Sequence, residues 1–359
     1  MTDKKEDPRT ENLYGLDPTD TDYFYRLCGG DEESVKVALT LFNSQRAVTT
    51  GKNYSHVIRD LKEFCVETGS SYDLLEAKTI AQFVVRTYVK QKGKSYLAYI
   101  RPAIRTIEES RGIPAEQSVC NNVTIAAMIA GAKRRAAETA PPISKVDELP
   151  IDALKDGFKT YVWGQPVDKI DFVILRTLYR WLVAAYTMVR YEGIRHVKAK
   201  HVKIVTDSKG QRAVQIYIEK EKNDQLHLGQ FRVMPEAPGE IIEPVTLTLI
   251  YFKRAGFEIG KGEEYVWCRT QGRKADGRYP LAYPTTLKDG KKLVKDLGYD
   301  IRYGENSSRR LGATNAFRNN VPMDKIAAIG GWKTKGIVEH YLSNTVDSKV
   351  AQAKALNFK

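Results

Sequence analysis

Asn306-Ser307-Ser308-Arg309-Arg310-Leu311-Gly312-Ala313-Thr314, followed by Gly330-Gly331-Trp332 and then His340-Tyr341-Leu342, is the stretch on which the reading of this chain turns. From Arg309 to Arg318 the pattern is helical, with Arg309, Gly312, Ala313, Ala316 and Phe317 at i, i+3, i+4, i+7 and i+8. One face therefore mixes an arginine with small and apolar residues, and an inward guanidinium requires an anion. Val321-Pro322 opens a second short helix with Ile326, Ala327 and Ile329 apolar, and Gly330-Gly331 ends it. Trp332 then offers a large ring with a single N–H donor. A third helix from about Gly336 turns Ile337, Val338, Tyr341 and Leu342 inward, which sets the phenol of Tyr341 near the helix end. A phenol among arginines is a candidate nucleophile toward a phosphoryl group.

The rest of the composition agrees with an anionic partner. The 359 residues carry a formal net charge of +13, with a pI near 9.3. The cations are spread along the chain rather than gathered in a tail, so nucleic acid fits better than a small acidic substrate. With 42% hydrophobic residues the chain can fill two modest cores, and two domains are expected. No apolar run reaches the roughly 20 residues that span a bilayer, and the charged stretch from Met1 to Thr10 lacks the apolar core of a signal peptide. The expected location is wherever the DNA lies, in cytoplasm, nucleoid or nucleus, and not outside the cell. Cys28, Cys65, Cys120 and Cys268 lack paired C-x-x-C spacing, and the five histidines form no H-x-x-x-H pair. Free thiols and chemistry without metal or cofactor are the expectation.

Residues 1–30 read as a flexible arm, polar and charged up to about Asp20, with Tyr23, Phe24 and Tyr25 as apolar anchors beyond it. Residues 31–136 hold five helical patterns and no convincing strand. Asp31 caps the first, and the clearest places Tyr54, Val57, Ile58, Leu61, Phe64 and Cys65 on one face. Pro102 should kink the fourth or mark its first turns. The fifth ends in Lys133-Arg134-Arg135, either a solvated end that suits the helix dipole or a phosphate contact. Residues 137–148 contain Pro141-Pro142 and no amphipathic period, which makes them the linker. A strongly apolar helix from Asp168 to about Val189 is the expected core of the second domain, residues 149–345. Segments 202–205, 213–218 and 231–234 alternate as strands, residues 269–278 read as a basic, glycine-rich loop, and 245–257 and 285–297 as helices. Residues 346–359 form a last helix with Val346, Val350, Ala353 and Leu356 along one side.

The segment from Asn306 to Leu342 resembles the C-terminal signature of tyrosine recombinases and integrases, nearest in wording to the Cre-type site-specific recombinases. That family reads His-x-x-Arg with Ala-Thr soon after, then Gly-Gly-Trp, then the nucleophilic Tyr. Arg309, Ala313-Thr314, Trp332 and Tyr341 fit, and Asn306 stands where the family has His. Arg310 is the alternative register, through Arg310-Leu311-Gly312-Ala313; the inward face favours Arg309 as the clamp and leaves Arg310 as a DNA contact. Thr187-Met188-Val189-Arg190 resembles the family's Thr-Gly-x-Arg-x-x-Glu box, with Gly193 in place of its acid and Glu192 beside it. Between the second and third strands, Lys222, or else Lys220, takes the place of the family's hairpin lysine.

The resemblance implies a mainly α fold with a small β-sheet: an N-terminal helical core-binding domain and a catalytic domain forming a C-shaped DNA clamp. It implies duplex DNA as partner, a homotetramer on DNA, and a final helix exchanged between protomers, although that helix could also fold back onto its own domain. It also implies a division of labour, with Arg190 and Arg309 clamping the phosphate, Trp332 and Asn306 hydrogen-bonding it, Tyr341 attacking and Lys222 protonating the leaving group. Singly, each residue has an ordinary structural explanation; their order and spacing together carry the reading. A type IB topoisomerase and an inactive DNA-binding relative share these residues and stand as alternatives.

Overall fold

The computed structural model describes residues 13–140, 146–219, 229–332 and 334–342. The chain divides into two compact units, Met1–Ile143 and Ser144–Lys359. Lys220, Lys222 and the helix expected over 346–359 lie outside the described residues.

The first unit is helical: α1 (Pro18–Leu27), α2 (Glu32–Ser44), α3 (Val48–Thr68), α4 (Ala77–Val89), α5 (Lys94–Ser110) and α6 (Val123–Thr139). Asp31 caps α2 by accepting from the backbone N–H of Ser34 at 2.8 Å. The six residues expected on the inner face of α3 are all buried, and α3 stops at Gly69, whose φ of 66° lies in the left-handed region. Pro102 sits inside α5 without ending it. Two expectations change. Lys133-Arg134-Arg135 is not the end of α6, which runs on to Thr139. Residues 13–30 are not a loose arm: Leu13, Tyr14, Leu16 and Phe24 are buried. The fastening is a fully buried carboxylate, Asp20, which accepts from Arg111 Nε at 2.7 Å and from the Tyr72 hydroxyl at 2.9 Å. An ion pair across 91 residues leaves no trace in local periodicity.

The second unit is built on one buried helix. Its elements are α7 (Ile151–Tyr161), α8 (Phe172–Thr187), α9 (Tyr191–Ile194), β1 (Val202–Thr206), β2 (Arg212–Ile218), β3 (Gln230–Pro235), α10 (Pro244–Ala255), β4 (Cys268–Gln271), β5 (Lys274–Pro280), α11 (Tyr283–Asp296), α12 (Ser307–Arg318), α13 (Met323–Ile329) and α14 (Lys335–Tyr341). The fold is mainly α with small sheets. Leu175, Leu178, Trp181 and Leu182 of α8 are wholly enclosed. The strands β1-β2-β3 form an antiparallel sheet in which Ile216 faces both Val202 and Arg232, and Val214, Ile216 and Ile218 turn inward with period two. Residues 269–278, expected as a loop, form the antiparallel hairpin β4-β5 instead.

Helix α12 lies directly on α8. A Cβ on Gly312 would fall onto the carbonyl of Ala185, so only glycine admits this approach. The segment before α7 is tied to the same place: Leu149 donates its backbone N–H to Ser307 O at 3.1 Å, and Asp147 donates to Arg302 O at 3.0 Å.

Candidate active site

Three short helices and the end of α8 bring the residues around Tyr341 together. Met188, Ala313, Ile326, Ala327, Trp332 and Val338 form a small apolar core of their own, with Ala316, Tyr341 and Leu342 packed against it. Ile337, expected inward, is 37% exposed; Val338, Tyr341 and Leu342 carry the inner face of α14.

Arg190 enters this cluster from a strained turn. Met188 ends α8 with φ of 51°, a left-handed conformation uncommon for a residue with a side chain. It occupies the position at which the Thr-Gly-x-Arg box has glycine. The turn reverses the chain so that Arg190 heads α9, and its Nη2 comes to 3.5 Å from the Tyr341 hydroxyl. Glu192 does not stand in for the missing acid of the box near Arg190, because its carboxylate pairs with Arg195 at 3.2 Å. Tyr191, next to Arg190, donates its hydroxyl to Leu281 O at 2.6 Å.

Arg309 is fully enclosed, as its helical face implied. Its guanidinium carbon lies 4.5 Å from the Trp332 ring centroid and 4.9 Å from that of Tyr341, and Nη2 donates to Gly330 O at 2.9 Å. The two rings lie 4.8 Å apart with a 33° tilt. Trp332 Nε1 and Ser308 Oγ are buried and have no hydrogen-bond partner among the described residues. A buried indole N–H left this way costs free energy unless a ligand accepts from it. Arg310, expected as a DNA contact, is 8% exposed and donates to Leu342 O at 3.2 Å. Asn306 is exposed at the N-cap of α12, where its side chain makes no capping bond. In the first unit Arg134 and Arg135 are exposed, Lys133 is half-buried, and Arg135 pairs with Glu138.

Sequence reading missed the polar frame behind this cluster. Arg180 of α8, 3% exposed, pairs with the buried Glu305 and donates to the Tyr303 hydroxyl, which also accepts from Trp181 Nε1 at 2.7 Å. Burial pushes the Glu305 carboxyl above its ordinary range against the pull of Arg180, and pushes the Tyr303 phenol up to about 12. This network anchors the residues just before Asn306. Its signal was present: Arg176 and Arg180 repeat at i, i+4 within an otherwise apolar helix.

No family model matches the chain, and no curated protein matches it. Solved structures do. The XerH site-specific recombinase bound to difH substrate, in its pre-cleavage complex, matches over 97% of this chain and 97% of its own, at 13% identity and a TM-score of 0.55. Its post-cleavage complex with palindromic difH covers 93% of this chain and 83% of its own, at 12% and 0.53. The Tn1549 transposon integrase in complex with transposon right end DNA covers 94% and 98%, at 12% and 0.52. The chain has the fold of the tyrosine recombinases and integrases. No helix among the described residues is long and apolar enough to cross a membrane.

Proposed function

We propose that this protein is a tyrosine recombinase that cleaves and rejoins duplex DNA through a 3′-phosphotyrosine intermediate on Tyr341. The observation that carries the reading is the meeting of Arg190, Arg309 and Trp332 around one phenol, in the fold of the recombinases. A phosphodiester repels nucleophiles, and attack concentrates charge on its non-bridging oxygens. Arg190 and Arg309 offer fixed guanidinium forks to those oxygens, and the Trp332 N–H supplies a third donor. One such preorganised donor is worth about 3 kcal/mol of transition-state stabilisation.

Free tyrosine ionises only near pH 10, so the cationic surroundings must favour phenolate formation during attack. The Tyr341 oxygen bonds to phosphorus, the 5′-oxygen departs, and Lys222, or else Lys220, gives that oxygen its proton. The new ester keeps the energy of the broken bond, so the 5′-hydroxyl of another strand can reverse the step without ATP, metal or cofactor. Asn306 hydrogen-bonds the phosphate where the family uses His. In this reading residues 31–136 and 149–345 clamp the duplex across the 137–148 linker, Lys133, Arg134 and Arg135 contact its phosphates, and four protomers assemble with residues 346–359 exchanged between neighbours.

Trapping on a nicked suicide substrate tests the reading. The parent should give a covalent band on a denaturing gel, and Tyr341→Phe should bind DNA equally well and give none. A band that persists in Tyr341→Phe moves the nucleophile elsewhere. Relaxed supercoils without recombinant products would indicate a topoisomerase, and binding without adduct in the parent an inactive relative.

A further inference from the structure

Hairpin β4-β5 lies outside the Tyr341 cluster and has no part in the chemistry above. It carries Arg269, Arg273, Lys274 and Arg278 against a single acid, Asp276. Its arrangement is more specific than a solvated charge run. Tyr279, 51% exposed, has the guanidinium carbons of Arg269 and Arg278 at 5.5 and 5.7 Å from its ring centroid. Arg278 is held by Asp276 through Nε at 2.8 Å and Nη2 at 3.1 Å, and that pairing keeps the Asp276 carboxyl below its ordinary range. Arg273 and Lys274, at the exposed tip beside Gly272, have no acidic partner among the described residues.

The hairpin is also fixed from behind. Arg176 of α8 donates to Cys268 O at 2.5 Å, and Arg254 of α10 donates to Arg273 O at 3.2 Å. Strand β5 runs into Leu281, whose carbonyl accepts from Tyr191, the neighbour of Arg190. An exposed phenol flanked by two guanidiniums, on a ribbon anchored one residue from a phosphate-clamping arginine, matches the donor set with which proteins hold DNA backbone phosphates.

We propose that hairpin β4-β5 is a sequence-independent contact for the DNA phosphodiester backbone, with Arg269, Tyr279 and Arg278 as a preorganised ladder and Arg273 and Lys274 as the reaching cations. The proposal rests on the reading of the chain as a DNA-binding enzyme, but its test does not depend on cleavage. The probe is a short random-sequence duplex, and the readout is the slope of log affinity against log salt for the full chain. The double variant Arg273→Ala/Lys274→Ala, at exposed positions, should lower that slope by about 2, roughly one per lost phosphate contact. Tyr279→Ala should weaken binding while lowering the slope less. Lys261→Ala is the control, an exposed cation paired with Glu258.

An unchanged slope in the double variant overturns the proposal, and so does an equal drop in the control, which would show only the effect of net charge. If the parent forms no Tyr341 adduct while the slope still falls, the recombinase reading fails and the hairpin contact stands. With the adduct intact and the slope unmoved, the reverse holds.

Discussion

Arg310 donates a hydrogen bond of 3.2 Å to the carbonyl of Leu342, the residue directly after Tyr341. Helix α14 is only seven residues long, so its last carbonyls have few partners and a cation there meets both the free acceptor and the helix dipole. Burial pulls the Arg310 pKa below its ordinary value, opposed by the charges of Glu148 and Asp147. Those two acids belong to the segment that leads into α7. Arg310 thus ties α12 to the end of the helix that presents the phenol, as a positioning residue.

Arg310→Ala should therefore slow adduct formation at saturating DNA by about 10- to 100-fold, the equivalent of one buried charged hydrogen bond of about 1.5 to 3 kcal/mol. Arg310→Lys should recover part of the rate. DNA affinity should change far less than rate. Single-turnover trapping with parallel binding curves checks this; loss confined to affinity would assign Arg310 to the DNA instead.

Trp332→Phe separates packing from chemistry. The phenyl ring can keep the stack with Arg309 and Tyr341, while the buried N–H without a protein partner disappears. Removing an unsatisfied donor should leave thermal stability equal or slightly higher. Adduct formation should nevertheless fall at least about tenfold, since in the proposed reaction the donor acts only on the bound phosphate. A variant less stable but equally active would mean that the indole serves packing alone.

Gly312→Ala tests the contact that holds the two arginine-bearing elements together. The new methyl would meet the Ala185 backbone, which cannot swing aside like a side chain end. Overpacking here should cost about 3 kcal/mol or more, measured by denaturant unfolding. Because α8 leads to Arg190 and α12 carries Arg309, cleavage should fall along with stability. A neutral substitution would show that the helices can separate freely.

Which parts of this arrangement were legible in the sequence follows from the range of the forces involved. Face-forming periodicity is local, so α3, α8 and the β1-β2-β3 strands could be read directly, as could the helix carrying Arg309. Hairpin β4-β5 could not: Gly272, Gly277 and four cations mask a pair of strands whose residues are mostly exposed or half-buried. The packing of residues 13–30 depends on Asp20 meeting Arg111, and the frame behind Asn306 on Arg180 meeting Glu305 across 125 residues. Motif order singled out Arg190, Arg309 and Trp332, which the structure brings to Tyr341, while Lys222 and Lys220 lie outside the described residues. It could not predict that Met188 adopts a left-handed turn, or that Arg309 lies against both aromatic rings, since both depend on how α12 and α14 close on α8.

His201 gives the second unit a dependence on pH. It stands just before β1, 8% exposed, with Nδ1 accepting from the Lys198 backbone N–H at 3.1 Å and Nε2 at 3.2 Å from the Glu219 carboxylate. Burial is the main reason its pKa lies below the ordinary value; Glu219 and Glu263 oppose the shift, and Lys200 and Lys198 add to it. With the folded pKa below the unfolded value of about 6.5, the fold favours neutral imidazole. That stabilisation is complete above about pH 6.5 and is lost as the pH falls through and below it, when protonation also removes the acceptor for Lys198. The denaturant midpoint of the parent should therefore drop between pH 7 and pH 5, and His201→Gln, which keeps an acceptor but cannot be protonated there, should flatten the drop. An identical pH dependence in the two proteins would place the titrating group elsewhere.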